Sequence, residues 1–372
     1  MNNINLEIIN KTIPGWLNST DAPKAEVVVS SRLRYARNIS GYRFPNHATE
    51  EELIEIYELI RATIEKNELW NSVFNEESKL IKIEKLSRLQ AEFLLERHLI
   101  SPDFIRKIKN LNETKEEHHK PYGVFISKNE TTSIMINEED HLRFQVISPG
   151  FEFQKNFEKL NLIDDIFEAN LQYAFSPDYG YLTACPTNVG TGLRVSVMIH
   201  LPGLIITQEI HKAIKAIRQL NCLVRGIYGE GTETRGYFFQ ISNNITLGES
   251  EEEIIQGMKN ITKQIIEYEE RARDFLLKNM KTELEDKVHR AYAILRSARL
   301  LSSDEALNLL ATVRLGVATA ILNEISLNTL NKIMILLKPA NLQIFYNQTM
   351  NAYERDEKRA ALIRELLNQS VN

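Results

Sequence analysis

Arginines stand out first, because they recur where strand patterns run. In SSRLRYAR, Ser30 to Arg37, Arg32 and Arg34 lie two apart and share one face of an extended segment. Arg143 opens RFQVIS just after INEEDHL, Arg194 opens RVSVMIHL, and Arg225 comes late in CLVRGIYG. A guanidinium grips phosphate oxygens with paired N–H donors, so arginines at five strand edges suggest a triphosphate site. Taken singly, each is more simply a surface arginine on a half-solvated strand.

Carboxylates and a thiol complete the set. NEED, Asn137 to Asp140, stacks three acids in a turn, too dense for comfortable burial. In YGEGTE, Glu230 stands between two glycines, where backbone can approach a ligand closely. Two separated carboxylates near arginines could bind a cationic group and take its proton. A solvated acidic loop is the plainer reading of NEED. The glycines of NVGTGLR could offer backbone N–H groups to a phosphate. The stretch is neither a P-loop nor a dinucleotide fingerprint. Cys185 could be core filler, a nucleophile, or a thiolate that orients a cation. A nucleophile would want a positioned base, and His200 is 15 residues away.

The elements that must position these groups are of two textures. Up to about residue 255, β-branched and aromatic residues alternate with polar ones in EVVVSS, YGVFISK, TSIMIN, RFQVIS, RVSVMIHL, CLVRGIYG and YFFQISNN. TEEELIEIYELIRATIEKN reads as a helix with a Thr49–Glu52 capping box. From about Ser250 the pattern is helical throughout: SEEEIIQ onward, LSSDEALNLLATVRLGVA with a Ser302–Glu305 box, LNTLNKIMILLKP stopped at Pro339, and NAYERDEKRAALIRELLNQ. The expected fold class is α+β over 1–255, followed by an all-helical domain over 256–372.

Composition excludes several classes. The 372 residues carry 45 Lys and Arg against 50 Asp and Glu, so no cationic excess recruits nucleic acid. No apolar run approaches the roughly 18 residues of a membrane span. The first residues do not resemble a signal peptide. Two cysteines, Cys185 and Cys222, make neither a disulfide framework nor a zinc spacing. A soluble protein of the reducing cytoplasm is the expectation.

Together SSRLRYAR, NEEDHLR, CPTNVGTGLRVSV and RGIYGEGTE…QISN resemble, in order, the ATP:guanidino phosphotransferases, the creatine and arginine kinase family. The resemblance is nearest to the bacterial branch that phosphorylates arginine side chains of proteins. Only about 29 residues precede SSRLR, leaving no room for the N-terminal helical domain of the small-molecule kinases. RDEKRA, Arg355 to Ala360, resembles that branch's RDxxRA pocket for phosphoarginine.

The resemblance implies a mainly antiparallel sheet flanked by helices, and MgATP as co-substrate. It assigns the nucleotide to Ser30, Ser31, Arg32, Leu33, Arg34, His98, Arg143, Arg194, Val195, Ser196, Val197, Met198, Arg225, Gly226, Ile227, Tyr228 and Gly229. Arg32 and Arg34 would meet the phosphates. It makes Glu139, Glu230 and Cys185 the groups that hold and deprotonate the guanidinium, and Arg355, Asp356, Arg359 and Ala360 the regulatory pocket. Mg²⁺ would be held by the phosphates and water, with no protein ligand. Implied partners are protein substrates bearing arginine, an McsA-type zinc-binding activator and a Clp protease, with a homodimer expected and stress-gene repressors among the substrates. Without the resemblance, RDEKRA is surface pairing at i,i+4. Two rivals stay open: a kinase for a small guanidino compound, and an idle phosphoarginine-binding adaptor.

Overall fold

The computed structural model describes residues 13–66, 78–106, 121–226 and 236–369. Its spine is an eight-stranded sheet in the order β2-β3-β4-β5-β1-β8-β10-β9. The strands are β1 (Val28–Arg37), β2 (Ser78–Lys82), β3 (Gly123–Ser127), β4 (Thr132–Ile136), β5 (Leu142–Pro149), β8 (Leu193–His200), β9 (Cys222–Gly226) and β10 (Phe238–Asn243). Every neighbouring pair is antiparallel. A short hairpin, β6 (Phe175–Ser176) with β7 (Gly180–Tyr181), stands apart. β1 lies inside the sheet, pairing Arg34 with Gln145 of β5 on one side and with Arg194 of β8 on the other. SSRLRYAR is therefore the body of a central strand, where strand-end arginines were expected.

One sheet face is predominantly apolar. Leu33, Tyr35, Phe144, Val146, Val195, Val197 and Ile241 are buried there in one cluster with residues of five helices. These are α1 (Glu50–Lys66), α3 (Phe153–Glu168), α4 (Pro202–Ile206), α5 (Ile210–Gln219) and the first two-thirds of α6 (Glu251–Asn279), while α2 (Arg88–Glu96) packs in a separate core. Each large side chain so buried contributes about 1.5–3 kcal/mol. Among the helix starts read from sequence, Thr49–Glu52 and Ser250–Glu253 form reciprocal boxes, and Ser302 accepts from the Glu305 amide.

The opposite face is divided. At one end Val29, Ile147, Met198 and Phe238 join a second core with the C-terminal helices. Those helices are α7 (Lys281–Ser297), α8 (Ser303–Ala318), α9 (Leu327–Leu336), α10 (Pro339–Tyr346) and α11 (Ala352–Gln369). Residue 255, where the sequence texture changes, lies in the opening turns of α6, and that helix serves both cores: Ala272 belongs to the first and Leu276 to the second. Pro339 does end α9, and it also opens α10, since proline lacks only an N–H that a first helical turn leaves unbonded. Between the two parts, Arg314 donates to Asn331 at 2.7 Å and to the Ala25 carbonyl at 2.7 Å, both buried. The uncovered end of this face is where the arginines stand.

Candidate active site

Period-two alternation places Arg32 and Arg34 on the divided face with Arg143 and Gln145 of β5, Arg194, Ser196 and Met198 of β8, and Gln240 of β10. Arg225 pairs with Gln240 on β9. Adjacent strands lie about 4.8 Å apart, so the guanidinium groups converge. They line one cavity of about 990 Å³ together with His98, Glu139 and Cys185.

This cluster has few counter-charges. Burial, then Arg143 and Arg194, lowers Arg32 to about 10, and burial with Arg32, Arg143 and Arg194 takes Arg34 well below its ordinary value. Nε of Arg34 and Nη1 of Arg194 are buried with no hydrogen-bond partner among the described residues. Arg143 differs. Burial opposes its charge, but the ion pair with Glu138 at 2.9 Å outweighs that and raises it. Unpartnered guanidinium nitrogens facing a cavity suit a polyanion such as a nucleotide triphosphate.

The acidic turn is not the solvated loop its composition suggests. Glu138 and Asp140 are buried, and Glu139 alone is exposed. Glu138 accepts from Arg143 and from the Ser101 hydroxyl. Asp140 accepts from Asn38 at 2.6 Å and from the Ala184 amide at 2.7 Å, which ties the turn to the residue before Cys185. Burial pushes Asp140 up to about 6 despite those bonds. Cys185 is partly buried, with Sγ 3.0 Å from the Thr187 hydroxyl. Glu139 and Cys185 both act on the charge of Arg194, so the acid, the thiol and the cation are neighbours.

Glycines of the same loop serve close packing. A Cβ on Gly190 would stand 2.2 Å from the Thr246 carbonyl, and one on Gly192 would stand 2.7 Å from the Ala36 carbonyl, both at positive φ. The Gly190 and Thr191 amides already donate to Tyr181 and Thr246. They are not free to hold a phosphate.

Other expected nucleotide residues divide by face. Ser31, Leu33, Val195 and Val197 point to the helix-backed side, where Ser31 donates to the Gly150 carbonyl. Their side chains point away from the cavity, and Ser31 and Leu33 lie in the doubly paired interior of β1. Ser196 and Met198 are on the cavity's face, and Ser30 is buried; Gly226 ends β9. Arg37, from the same segment, faces the other way, bonding Asp164 at 2.6 Å and stacking 3.6 Å over the Tyr181 ring. Ile227, Tyr228, Gly229 and Glu230 lie outside the described residues.

His98 lines the cavity, at positive φ and edge-on to Trp16. Burial, then the positive charges of Lys338, Arg32 and Arg34, keeps it neutral. His200 does not join the site; it is buried against Phe238 on the covered end. Missed from sequence were Gln145 and Gln240, whose period-two placement beside the arginines was a usable signal, and Lys338, which had none.

The C-terminal motif is also more structural than expected. Arg359 is buried, donating from Nε to the Leu337 carbonyl and from Nη1 to Leu301 and Asp356. Ala360 is buried beside it, and Arg355 donates to the Met350 carbonyl. Asp356 pairs with Arg359 at i,i+3, one of the pairings that the plainer surface reading of RDEKRA allows.

Comparison with known proteins is consistent with this geometry. The ATP:guanido phosphotransferase C-terminal catalytic domain matches residues 58–272, and the protein-arginine kinase McsB C-terminal domain matches 281–372. Protein-arginine kinases of Bacillus cereus (strain AH187) and Bacillus anthracis (strain CDC 684 / NRRL 3495) are each 43% identical over 369 residues, 98% of this chain and 99% of theirs. Among solved structures, the duplicated taurocyamine kinase from Schistosoma mansoni with bound transition state analog components is 23% identical at TM-score 0.57, covering 67% of this chain and 34% of that one. Lombricine kinase is 25% identical at TM-score 0.55, covering 67% of this chain and 68% of its own. These two share the sheet architecture. Among the described residues no helix is long and apolar enough to cross a membrane. The chain belongs to the ATP:guanido phosphotransferase family, as a guanidino phosphotransferase whose C-terminal region is of the McsB type.

Proposed function

We propose that this enzyme transfers the γ-phosphoryl group of MgATP to arginine side chains of proteins. The observation that carries the reading is one cavity in which Arg32, Arg34, Arg143 and Arg194 face Glu139 and Cys185. The relatives named protein-arginine kinase favour a protein substrate over a small guanidino compound.

In this reading the arginines hold the triphosphate and neutralise charge on the transferring group. Mg²⁺ carried by the nucleotide would supply further neutralisation of that charge. A guanidinium, with a pKa above about 12, becomes a nucleophile only as a proton leaves. Glu139 accepts that proton, with Glu230 aligning the planar fork from the segment outside the described residues. The new N–P bond forms as the γ-phosphorus to ADP oxygen bond breaks. Cys185 adds a negative partner beside the guanidinium.

We extend the proposal to the roles that accompany this branch. Residues 1–255 carry both reactant sites, and 256–372 carry a regulatory phosphoarginine pocket around Arg355, Asp356, Arg359 and Ala360. The cytoplasmic homodimer works with an McsA-type activator, marks proteins for a Clp protease and modifies stress-gene repressors. The McsB-type C-terminal match supports that extension.

The test is incubation with MgATP and a basic protein, followed by mass spectrometry for acid-labile phosphate on arginine. Phosphoarginine that disappears in Glu139→Gln is the expected result. Phosphorylation of free arginine but of no protein would overturn the substrate assignment.

A further inference from the structure

Glu139 and Cys185 line one cavity but come from different loops. Glu139 sits in the turn between β4 and β5, and Cys185 follows the β6–β7 hairpin. The gap between them depends on what ties those loops together. One buried side chain does so. Asn38, just past the end of β1, is 1% exposed. Its Nδ2 donates to Asp140 Oδ1 at 2.6 Å and to the Leu182 carbonyl at 3.1 Å. Its Oδ1 accepts the His141 amide at 2.9 Å. Its backbone carbonyl accepts the Ala174 amide at 2.7 Å, at the foot of the hairpin.

These demands select an amide. The Leu182 carbonyl can only accept and the His141 N–H can only donate, which also fixes which end of the amide carries the oxygen. An aspartate would meet the His141 amide but would set a second carboxylate against Asp140 and leave the Leu182 carbonyl without its donor. Neighbouring bonds tighten the same knot. Asp140 Oδ1 also accepts the Ala184 amide at 2.7 Å, and His141 Nδ1 accepts the Ile39 amide at 3.0 Å. Asp140 follows Glu139 and Ala184 precedes Cys185, so both groups hang one residue beyond the knot. Arg32, Arg34 and Arg143 are placed differently, by the pairing of β1 with β5.

Resting on the phosphotransferase reading of the cavity, we propose that Asn38 is a positioning residue for the transfer step, fixing the gap between Glu139 and Cys185 that receives the guanidinium. It touches neither reactant. It acts through Asp140 and His141 on the acid, and through Leu182 on the thiol. A misplacement of about 1 Å can cost on the order of a hundredfold in rate, so one amide lost from the knot registers in kcat. ATP, gripped by arginines that strand pairing holds, keeps its affinity.

Kinetics of arginine phosphorylation on a basic protein, with ATP binding followed by calorimetry, test this in the full chain. Asn38→Ser and Asn38→Ala should each lower kcat about tenfold or more and leave ATP affinity within about twofold of wild type. A double-mutant cycle with Cys185→Ser separates positioning from general support of the fold. Replacing Asn38 should cost at least about threefold less in kcat once the thiol is gone, because one of the two groups it spaces is missing. Losses that multiply in full would overturn the proposal, as would unchanged kcat in both single variants. Lost ATP binding in Asn38→Ser would make Asn38 a support of the whole fold and would overturn it too. If the wild type phosphorylated no arginine, the phosphotransferase reading would itself be refuted, and the proposal with it.

Discussion

An arginine cluster built for a polyanion should destabilise the protein that carries it. Arg34→Met tests this directly. Arg32 is lowered to about 10, through burial first and then Arg143 and Arg194. Carrying that charge at neutral pH costs about 3 kcal/mol. The sign follows from the direction: a base lowered on folding is disfavoured in its charged form at every pH below about 10, so the cost is present in full at pH 7. Arg34 is lowered further, and its Nε has no hydrogen bond to lose among the described residues. Methionine keeps most of the aliphatic stem and removes the charge.

The ligand-free variant should therefore be more stable than wild type by about 1–3 kcal/mol. At about 2–4 °C per kcal/mol, its thermal midpoint should rise roughly 2–12 °C. ATP reverses the order. At a hundred times Kd it should stabilise wild type by about 2.7 kcal/mol. Loss of one charged phosphate contact, about 1.5–3 kcal/mol, weakens binding roughly 10- to 150-fold. At the same ATP concentration the variant should then gain less than about 1.5 kcal/mol. Differential scanning fluorimetry with and without MgATP reads both quantities. A lower midpoint for the ligand-free variant, or an undiminished gain from ATP, would refute the reasoning.

The remaining predictions concern other parts of the frame. Cys185→Ser should leave ATP affinity within about twofold while kcat falls roughly a hundredfold, the scale of losing one preorganised partner of the transition state; lost ATP binding in calorimetry would contradict the division between thiol and arginines. Burial raises Glu130 to about 7, and the pull of Arg97 does not cancel it. Its contribution is thus complete below about 4.5 and is lost as pH rises through 7. Glu130→Gln should consequently gain about 3 kcal/mol on wild type between pH 4 and pH 8 in urea unfolding, and parallel curves would sink the idea. Arg359→Leu strands the Leu337 and Leu301 carbonyls and should cost about 2–5 kcal/mol in the same assay. A cost below about 0.5 kcal/mol would instead indicate a side chain available to a phosphate.

The difference between what the residues announced and what they hid is a difference between local and distant partners. Arg32 and Arg34 on one face, with Leu33, Tyr35 and Arg37 on the other, follow from alternation alone, and the structure keeps that division. The same alternation turns the side chains of Ser31, Leu33, Val195 and Val197 to the helix-backed face, which the motif did not announce, because a motif conveys order along the chain but not direction across it. The acidic turn failed for another reason. Local charge density at Glu138, Glu139 and Asp140 reads as solvation only if no cation or amide comes to meet it. Glu138 is met by Arg143 and by Ser101, and Asp140 by Asn38 and the Ala184 amide, 102 and 44 residues away. Those bonds leave Glu139 as the one acid of the turn turned outward to the cavity. The burial of its neighbours therefore aims the proposed base, and it links the turn to the loop that holds Cys185. Such a link could not be read locally, since it exists only once β1, β5 and β8 lie side by side.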